Sequence, residues 1–292
     1  VESPVMHSIN SLLVVIEPHL MESLALKRAK HIASHTKAHL HLLICDKKND
    51  HSALLSVLES SLKSEAYSVS SEQAWHESQH ATIIKVQQAH NCGLVIKQHV
   101  PDNPLKKVLL TPEDWKLLRY CPSPVLLAKT AQSWEHGVIL AAVDVGNNDP
   151  EHMALHTSIV DHGFRIASMA HAELHVVSAH PAPMLATVDA VYPLDTELEQ
   201  TYRAECKVFQ QQCEIDDSRL HIEEGPADVI IPRVAKNLDA VVTVMGTVAR
   251  TGFSGALIGN TAEVVIDKLE SDILVLKPDD IVEHLEQLAS KL

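Results

Sequence analysis

This sequence contains much of itself twice. Residues Ile32 to Leu43 align without a gap on Ile166 to Val177, and Ile32, Ala33, Ser34, Ala38, Leu40 and His41 recur as Ile166, Ala167, Ser168, Ala172, Leu174 and His175. Each copy reads as a helix end running into an apolar strand. Each also lies behind an earlier apolar run, Leu12 to Ile16 in one case and Val138 to Val143 in the other. A second pairing sets Thr111 to Lys129 against Asn260 to Lys277, both a helix followed by a terminal strand. The period of about 130 to 150 residues is too long for a solenoid and fits a duplicated domain. The boundary falls near Thr130 to Gly137, which makes a first domain of residues 1–132 and a second of 137–292.

Within each half, short apolar runs alternate with longer helical patterns, the signature of a parallel sheet covered by helices on both faces. The second half predicts strands at Val138 to Val143, Glu173 to Ser178, Arg219 to Glu223, Ala240 to Met245 and Asp272 to Lys277. Helices are expected over Glu151 to Ala170, Glu197 to Gln212, Ala227 to Asn237 and Asn260 to Leu269. The first half follows the same order, with a weaker third strand around Ala66 to Ser70 and later strands at Gly93 to Lys97 and Val125 to Lys129. The fold class is therefore α/β, as two tandem doubly wound five-stranded parallel-sheet domains. Ligands of such domains bind outside the carboxyl ends of the strands. Two segments stand outside the repeat. His180 to Thr196 carries Pro181, Pro183 and Pro193 and is either a lid or a solvated insertion. In the tail, Ile281, Val282, Leu285, Leu288, Ala289 and Leu292 form one helical stripe that must dock on its own chain or on a partner.

Charge narrows the partners. Lys and Arg number 24 against 38 Asp and Glu, a net charge of -14, and such an acidic surface repels phosphate backbones and anionic lipid heads. Aromatic residues are 3% of the chain, too few for the stacking platforms of single-strand binders, so nucleic acid is not an expected partner. No apolar run approaches the roughly 20 residues of a membrane helix, so no membrane insertion is expected. Five cysteines, Cys45, Cys92, Cys121, Cys206 and Cys213, form an odd set without CxxC spacing and fit a reducing cytoplasm as small buried hydrophobes.

Chemistry concentrates after the strand Ala240 to Met245, where Gly246-Thr-Val-Ala-Arg-Thr-Gly-Phe-Ser-Gly-Ala-Leu-Ile-Gly-Asn-Thr-Ala-Glu leads into a helix. Glycines let backbone approach a phosphate. Helix N-terminal N–H groups, with Asn260 and Thr261, would meet an anion without net positive charge, and Arg250 would assist. The alternative is that Gly246, Gly252, Gly255 and Gly259 only make turns while Asn260 caps the helix.

These residues resemble the universal stress proteins, most closely the tandem-domain E-like group, over both halves. Nucleotide-binding members read G-x2-G-x9-G-[S/T/N] at the last strand-to-helix connection, and Gly246, Ala249 and Gly259-Asn260 fall in those places. The resemblance implies a nucleotide alpha hydrolase-like fold whose two domains pair like the subunits of a dimer, with Val125 to Lys129 against Leu274 to Lys277. It also gives Asp144 the adenosine-contacting role, puts Val177 beside the adenine and Met245 and Gly246 beside the ribose, and turns Gly259, Asn260 and Thr261 toward phosphates. Asp144 otherwise reads as a turn residue before Gly146 and Asn147. Ala249 departs from the motif, and its Cβ argues against ATP as the ligand. In the first half Glu17 replaces the Asp, and the loop His99-Val-Pro-Asp-Asn-Pro-Leu-Lys-Lys has no glycine, so that half is degenerate for nucleotides.

Twenty histidines include the spaced sets His31, His35 and His39, and His76 and His80, but helix-borne pairs do not make a three- or four-ligand site, and no metal is expected from them. There is no GxSxG, GxxxxGK[ST] or HExxH, so no catalytic residue is assigned. Two functional readings remain. One is a cytoplasmic stress-response or regulatory protein that binds a small molecule in a cleft of the second half or between the halves, and that a homodimer would also suit. The other is an ATP-binding switch with weak or no ATPase activity.

Overall fold

A computed structural model of the chain describes residues 9–101, 109–145, 150–180, 194–247 and 259–290. In chain order its elements are β1 (Ser11–Val15), α1 (Leu24–Thr36), β2 (His39–Cys45), α2 (Ser52–Ser64), β3 (Val69–Ala74), α3 (Gln79–Ala89), β4 (Leu94–Gln98), α4 (Pro112–Tyr120) and β5 (Val125–Ala128). Then come β6 (Val138–Val143), α5 (Pro150–Met169), β7 (Glu173–His180), α6 (Leu194–Cys213), β8 (Leu220–Glu224), α7 (Ala227–Asn237), β9 (Ala240–Gly246), α8 (Asn260–Lys268), β10 (Asp272–Leu276) and α9 (Asp279–Ala289). The chain divides into two compact units, Val1–Ala131 with Asp272–Leu292, and Gln132–Ser271.

The first unit carries parallel strands in the order β3-β2-β1-β4-β5, and β10 joins β5 antiparallel, with Leu274 opposite Leu126 and Val275 opposite Val125. The second unit repeats that order as β8-β7-β6-β9. Both units are α/β with helical crossovers between parallel strands. The central strands are buried on both faces, which is why Leu12 to Val15 and Ile139 to Val143 read as unbroken apolar runs. At the edges the pattern changes. Only Val69 of β3 is buried, and β8 has no buried residue, so the sequences VSSEQA and LHIEE are polar where they meet water.

That polarity displaces the third strand from its expected place at Ala66 to Ser70. Ala66 takes φ +66° and the Tyr67 N–H returns to the Leu62 carbonyl, so these residues close α2 and the strand begins only at Val69. Local signals set other helix ends. Ser23 accepts from the Leu26 N–H at the start of α1, and Lys37 ends that helix in the left-handed region.

One buried ion pair holds β10 in the first unit. Arg28 Nε lies 2.7 Å from Asp272 Oδ2, both side chains almost wholly buried, and the other Asp272 oxygen accepts the N–H groups of Lys129 and Thr130. With both carboxylate oxygens bonded, the charge is compensated where it is desolvated. The tail stripe docks on its own chain, where α9 packs on α3 and Leu285 is buried, while Leu288 stays exposed. Among the described residues no helix is long and apolar enough to cross a membrane. All five cysteines are free, with Cys92, Cys121 and Cys206 buried.

Candidate functional site

Three adjacent parallel strands build the candidate site of the second unit. Ala142 on β6 lies opposite Val177 on β7 and Met245 on β9, so these residues form one row across the sheet. Val177 and Met245 are buried in that row. Asp144 lies two residues past Ala142, exposed at the carboxyl edge, and Gly246 ends β9 beside it. Helix α8 follows β9, so the crossover turns its N-terminus toward the same edge. There Gly259 is half-buried, and Asn260 and Thr261 are exposed. Ala249 and Arg250 lie outside the described residues, as does most of the insertion, which becomes helix at Leu194.

Two details change the expected roles. The first helical residue of α8 is Asn260, and the cap is Gly259, which supplies no side-chain bond. Asn260 is therefore not a cap, and the first-turn N–H groups receive no acceptor from a capping side chain. Gly246 is explained by packing: a Cβ there would stand 2.7 Å from Leu155 Cδ2 and 3.3 Å from Ile159 Cδ1, so this glycine lets α5 press against the end of β9.

Further polar groups gather beneath the edge. The Asp144 N–H donates to His156 Nε2 at 3.3 Å, and the Val145 N–H donates to Ser178 Oγ at 3.2 Å. Ser178 also bonds the Tyr202 hydroxyl, and the Tyr202 ring lies 4.9 Å from that of His180. Burial, together with the charge of the neighbouring His152, pushes His156 down to about 4, so it is a neutral imidazole at pH 7. Burial likewise raises the Tyr202 phenol, which stays protonated. His156, Ser178 and Tyr202 escape a motif search. The repeat itself holds one clue, because Ser178 stands where the first copy has Ile44, a hydroxyl in place of an apolar side chain.

The corresponding edge of the first unit is filled by its own charges. Glu17 Oε1 accepts from Gln79 at 3.0 Å. At the end of β4, Lys97 Nζ meets Asp114 Oδ1 at 2.7 Å and His99 Nδ1 meets Asp114 Oδ2 at 2.8 Å, all three side chains buried. Thr111 accepts from the Asp114 N–H and Asp114 Oδ2 accepts from the Thr111 N–H, a reciprocal cap on α4, whose first residue is Pro112. Burial alone would raise the Asp114 carboxyl, but its bonds with His99 and Lys97 outweigh that and hold it far below the usual range.

A family model described as the universal stress protein family matches residues 137–277. The universal stress protein E of Photorhabdus laumondii is 32% identical over an alignment of 306 residues, covering 94% of this chain and 96% of that protein. Its namesake from Salmonella typhi is 37% identical over 213 residues, 70% of this chain and 67% of the relative. A crystal structure of a functionally unknown protein from Pseudomonas aeruginosa is 62% identical with a TM-score of 0.92, covering 98% of each chain.

Proposed function

This chain belongs to the universal stress protein family, and from that membership we propose a stress-response regulatory protein that binds a small phosphate-bearing ligand at the carboxyl edge of its second unit. The observation that carries the reading is the start of α8. Gly259 gives it no side-chain cap, and Asn260 and Thr261 stand exposed beside it. A helix N-terminus of this kind concentrates N–H donors and the positive end of the macrodipole on an anion. Exposed Asp144, two residues past the buried row of Ala142, Val177 and Met245, is placed to accept a hydroxyl from the ligand's polar body.

The proposal is binding without efficient turnover. Phosphoryl transfer needs positioned metal ligands and an oriented nucleophile, and Asp144 and Thr261 alone do not make that constellation. Ala249 bears on which ligand fits, because a Cβ in the motif position narrows the room for a triphosphate.

Native and denaturing mass spectra of the purified protein test this reading. The expected result is a noncovalent phosphate-bearing mass that leaves on denaturation, or a one-to-one adduct with added ADP or ATP. Ala249→Gly is expected to raise ATP affinity. A protein that stays bare with saturating ADP and ATP, and carries no phosphorus-containing mass from the cell, would overturn it.

A further inference from the structure

At the opposite, amino-terminal part of the first unit's sheet, β2, β3 and the end of α3 bring three metal-type donors to one point. His41 Nε2 and His90 Nε2 each lie 2.9 Å from the same oxygen, Glu72 Oε1. The donor atoms of all three residues lie within 4.8 Å of one another. The His41 and His90 rings stack with centroids 3.8 Å apart. We propose that His41, Glu72 and His90 form a binding site for a divalent transition-metal ion of the zinc type, with water in the remaining coordination position.

The chemistry of the donor set fits. Two imidazoles and one carboxylate form a borderline donor set suited to zinc and its neighbours rather than to calcium or magnesium. Zinc holds such atoms at about 2.0–2.2 Å, which spaces donors about 3.3 Å apart around a tetrahedron, a few tenths of an ångström wider than the hydrogen bonds here. The adjustment falls on the two exposed partners. Only His41 is anchored in the core, with 3% of its side chain exposed, while Glu72 and His90 are 36% and 43% exposed. His90 is also the C-cap of α3, where the negative end of the helix dipole favours a cation.

A second layer orients the anchored ligand. Ser70 Oγ lies 2.7 Å from His41 Nδ1 and 2.7 Å from His39 Nε2, and His39 Nδ1 lies 2.7 Å from Ser68 Oγ. With the carboxylate as a pure acceptor, neutral His41 presents Nε2–H to Glu72, and the hydroxyls of Ser70 and Ser68 donate to the bare Nδ1 atoms of His41 and His39. Metal binding needs the other tautomer, with the Nε2 lone pair free and the proton on Nδ1. The chain then runs in reverse, Nδ1–H of His41 to Ser70, Ser70 to His39 Nε2, and Nδ1–H of His39 to Ser68. Hydroxyls serve either direction, so the site changes state without moving those heavy atoms, and the Nδ1 bond that metal-bound histidines use is in place.

The duplicated domain supplies an internal control. His175 repeats His41, but its cross-strand partner is His221, 2.9 Å away, and the C-cap of α7 is Leu238 where α3 has His90. A carboxylate is present in the second unit too, Glu173 Oε2 3.5 Å from His175 Nε2, but it comes from β7 itself rather than from the neighbouring strand, and Leu238 supplies no ligand in the place of His90.

The test is zinc titration of the chelator-stripped full chain by calorimetry, with Co²⁺ as a second probe whose visible absorption reports tetrahedral coordination. The proposal expects saturable binding of one Zn²⁺, weakened at least about ten-fold in H90A and in E72Q, and about ten-fold in S70A. Because His90 is exposed, H90A should fold with an unchanged Tm. H221A should bind as the parent does. Absence of saturable binding, parental affinity in both H90A and E72Q, or equal losses in H90A and H221A would each overturn the assignment.

Discussion

Helices α4 and α8 begin at matching points of the two copies, yet one start is closed and the other is open. Helix α4 has Thr111 as cap, Pro112 in place of an N–H donor, and the Asp114 carboxylate on its first turn. Helix α8 has Gly259, Asn260, Thr261 and Ala262 at the same four positions, with no side-chain cap bond. The same scaffold thus offers the dipole to a side chain in one copy and to solvent in the other. A duplicated fold can lose a ligand site by substituting its own charge for the ligand's. Under the proposed function, the buried group Lys97–Asp114–His99 would be that substitution.

The largest effect should follow from removing it. Asp114→Ala leaves Lys97 and His99 buried without their shared carboxylate and is expected to cost about 3–5 kcal/mol in denaturant unfolding. The folded state holds the Asp114 carboxyl low, so its contribution is fully present above the unfolded value of about 3.9 and disappears as pH falls below it. Acid titration of the parent should show that loss, and the variant should lack this component.

The repeated lysine that follows each terminal strand gives the next contrast. Lys277 is buried with no hydrogen-bond partner for Nζ among the described residues, and burial lowers its amine to about 8, whereas Lys129 is half-buried. Lys277→Met should raise stability at pH 7 by roughly 1–3 kcal/mol. Since the unfolded chain binds the extra proton between pH 8 and about 10.5, the parent gains stability across that window and the advantage of the variant shrinks there.

Transplanting the closed start onto the open one tests the comparison itself. Gly259 has ψ 146°, an extended conformation that accepts a following proline, so Gly259→Thr with Asn260→Pro should preserve α8. Binding of a phosphate-bearing ligand is expected to fall at least about ten-fold, about 1.4 kcal/mol, with stability changed by less than about 1 kcal/mol. The smallest effect belongs to a charge pair at the surface. Lys268 Nζ lies 3.4 Å from Asp228 Oδ2, 47% and 34% exposed, and Lys268→Ala should cost under about 0.5 kcal/mol in the same unfolding assay.

Much of the architecture was legible because buried parallel strands leave unbroken apolar runs. Val138 to Val143 and Ala227 to Asn237 match their elements end to end. The polar edge strand β3 was misplaced because its residues face water and Ala66 is spent closing α2. Within the site, the motif marks Gly246 for a ligand, and its contact with Leu155 adds a packing role that sequence does not reveal, since sequence does not show what a missing Cβ would strike. The histidines show the same limit. Spacing drew attention to His31, His35 and His39, whereas the convergent set joins β2, β3 and α3 through strand register, which no local spacing encodes.

The most direct test of the account is hydrogen exchange by mass spectrometry with and without saturating ADP or ATP. Slowed exchange in the peptide that begins α8 and in the one that ends β6 at Asp144, with no change across the start of α4, is the predicted result. Protection at the start of α4, or none at the start of α8, would contradict it.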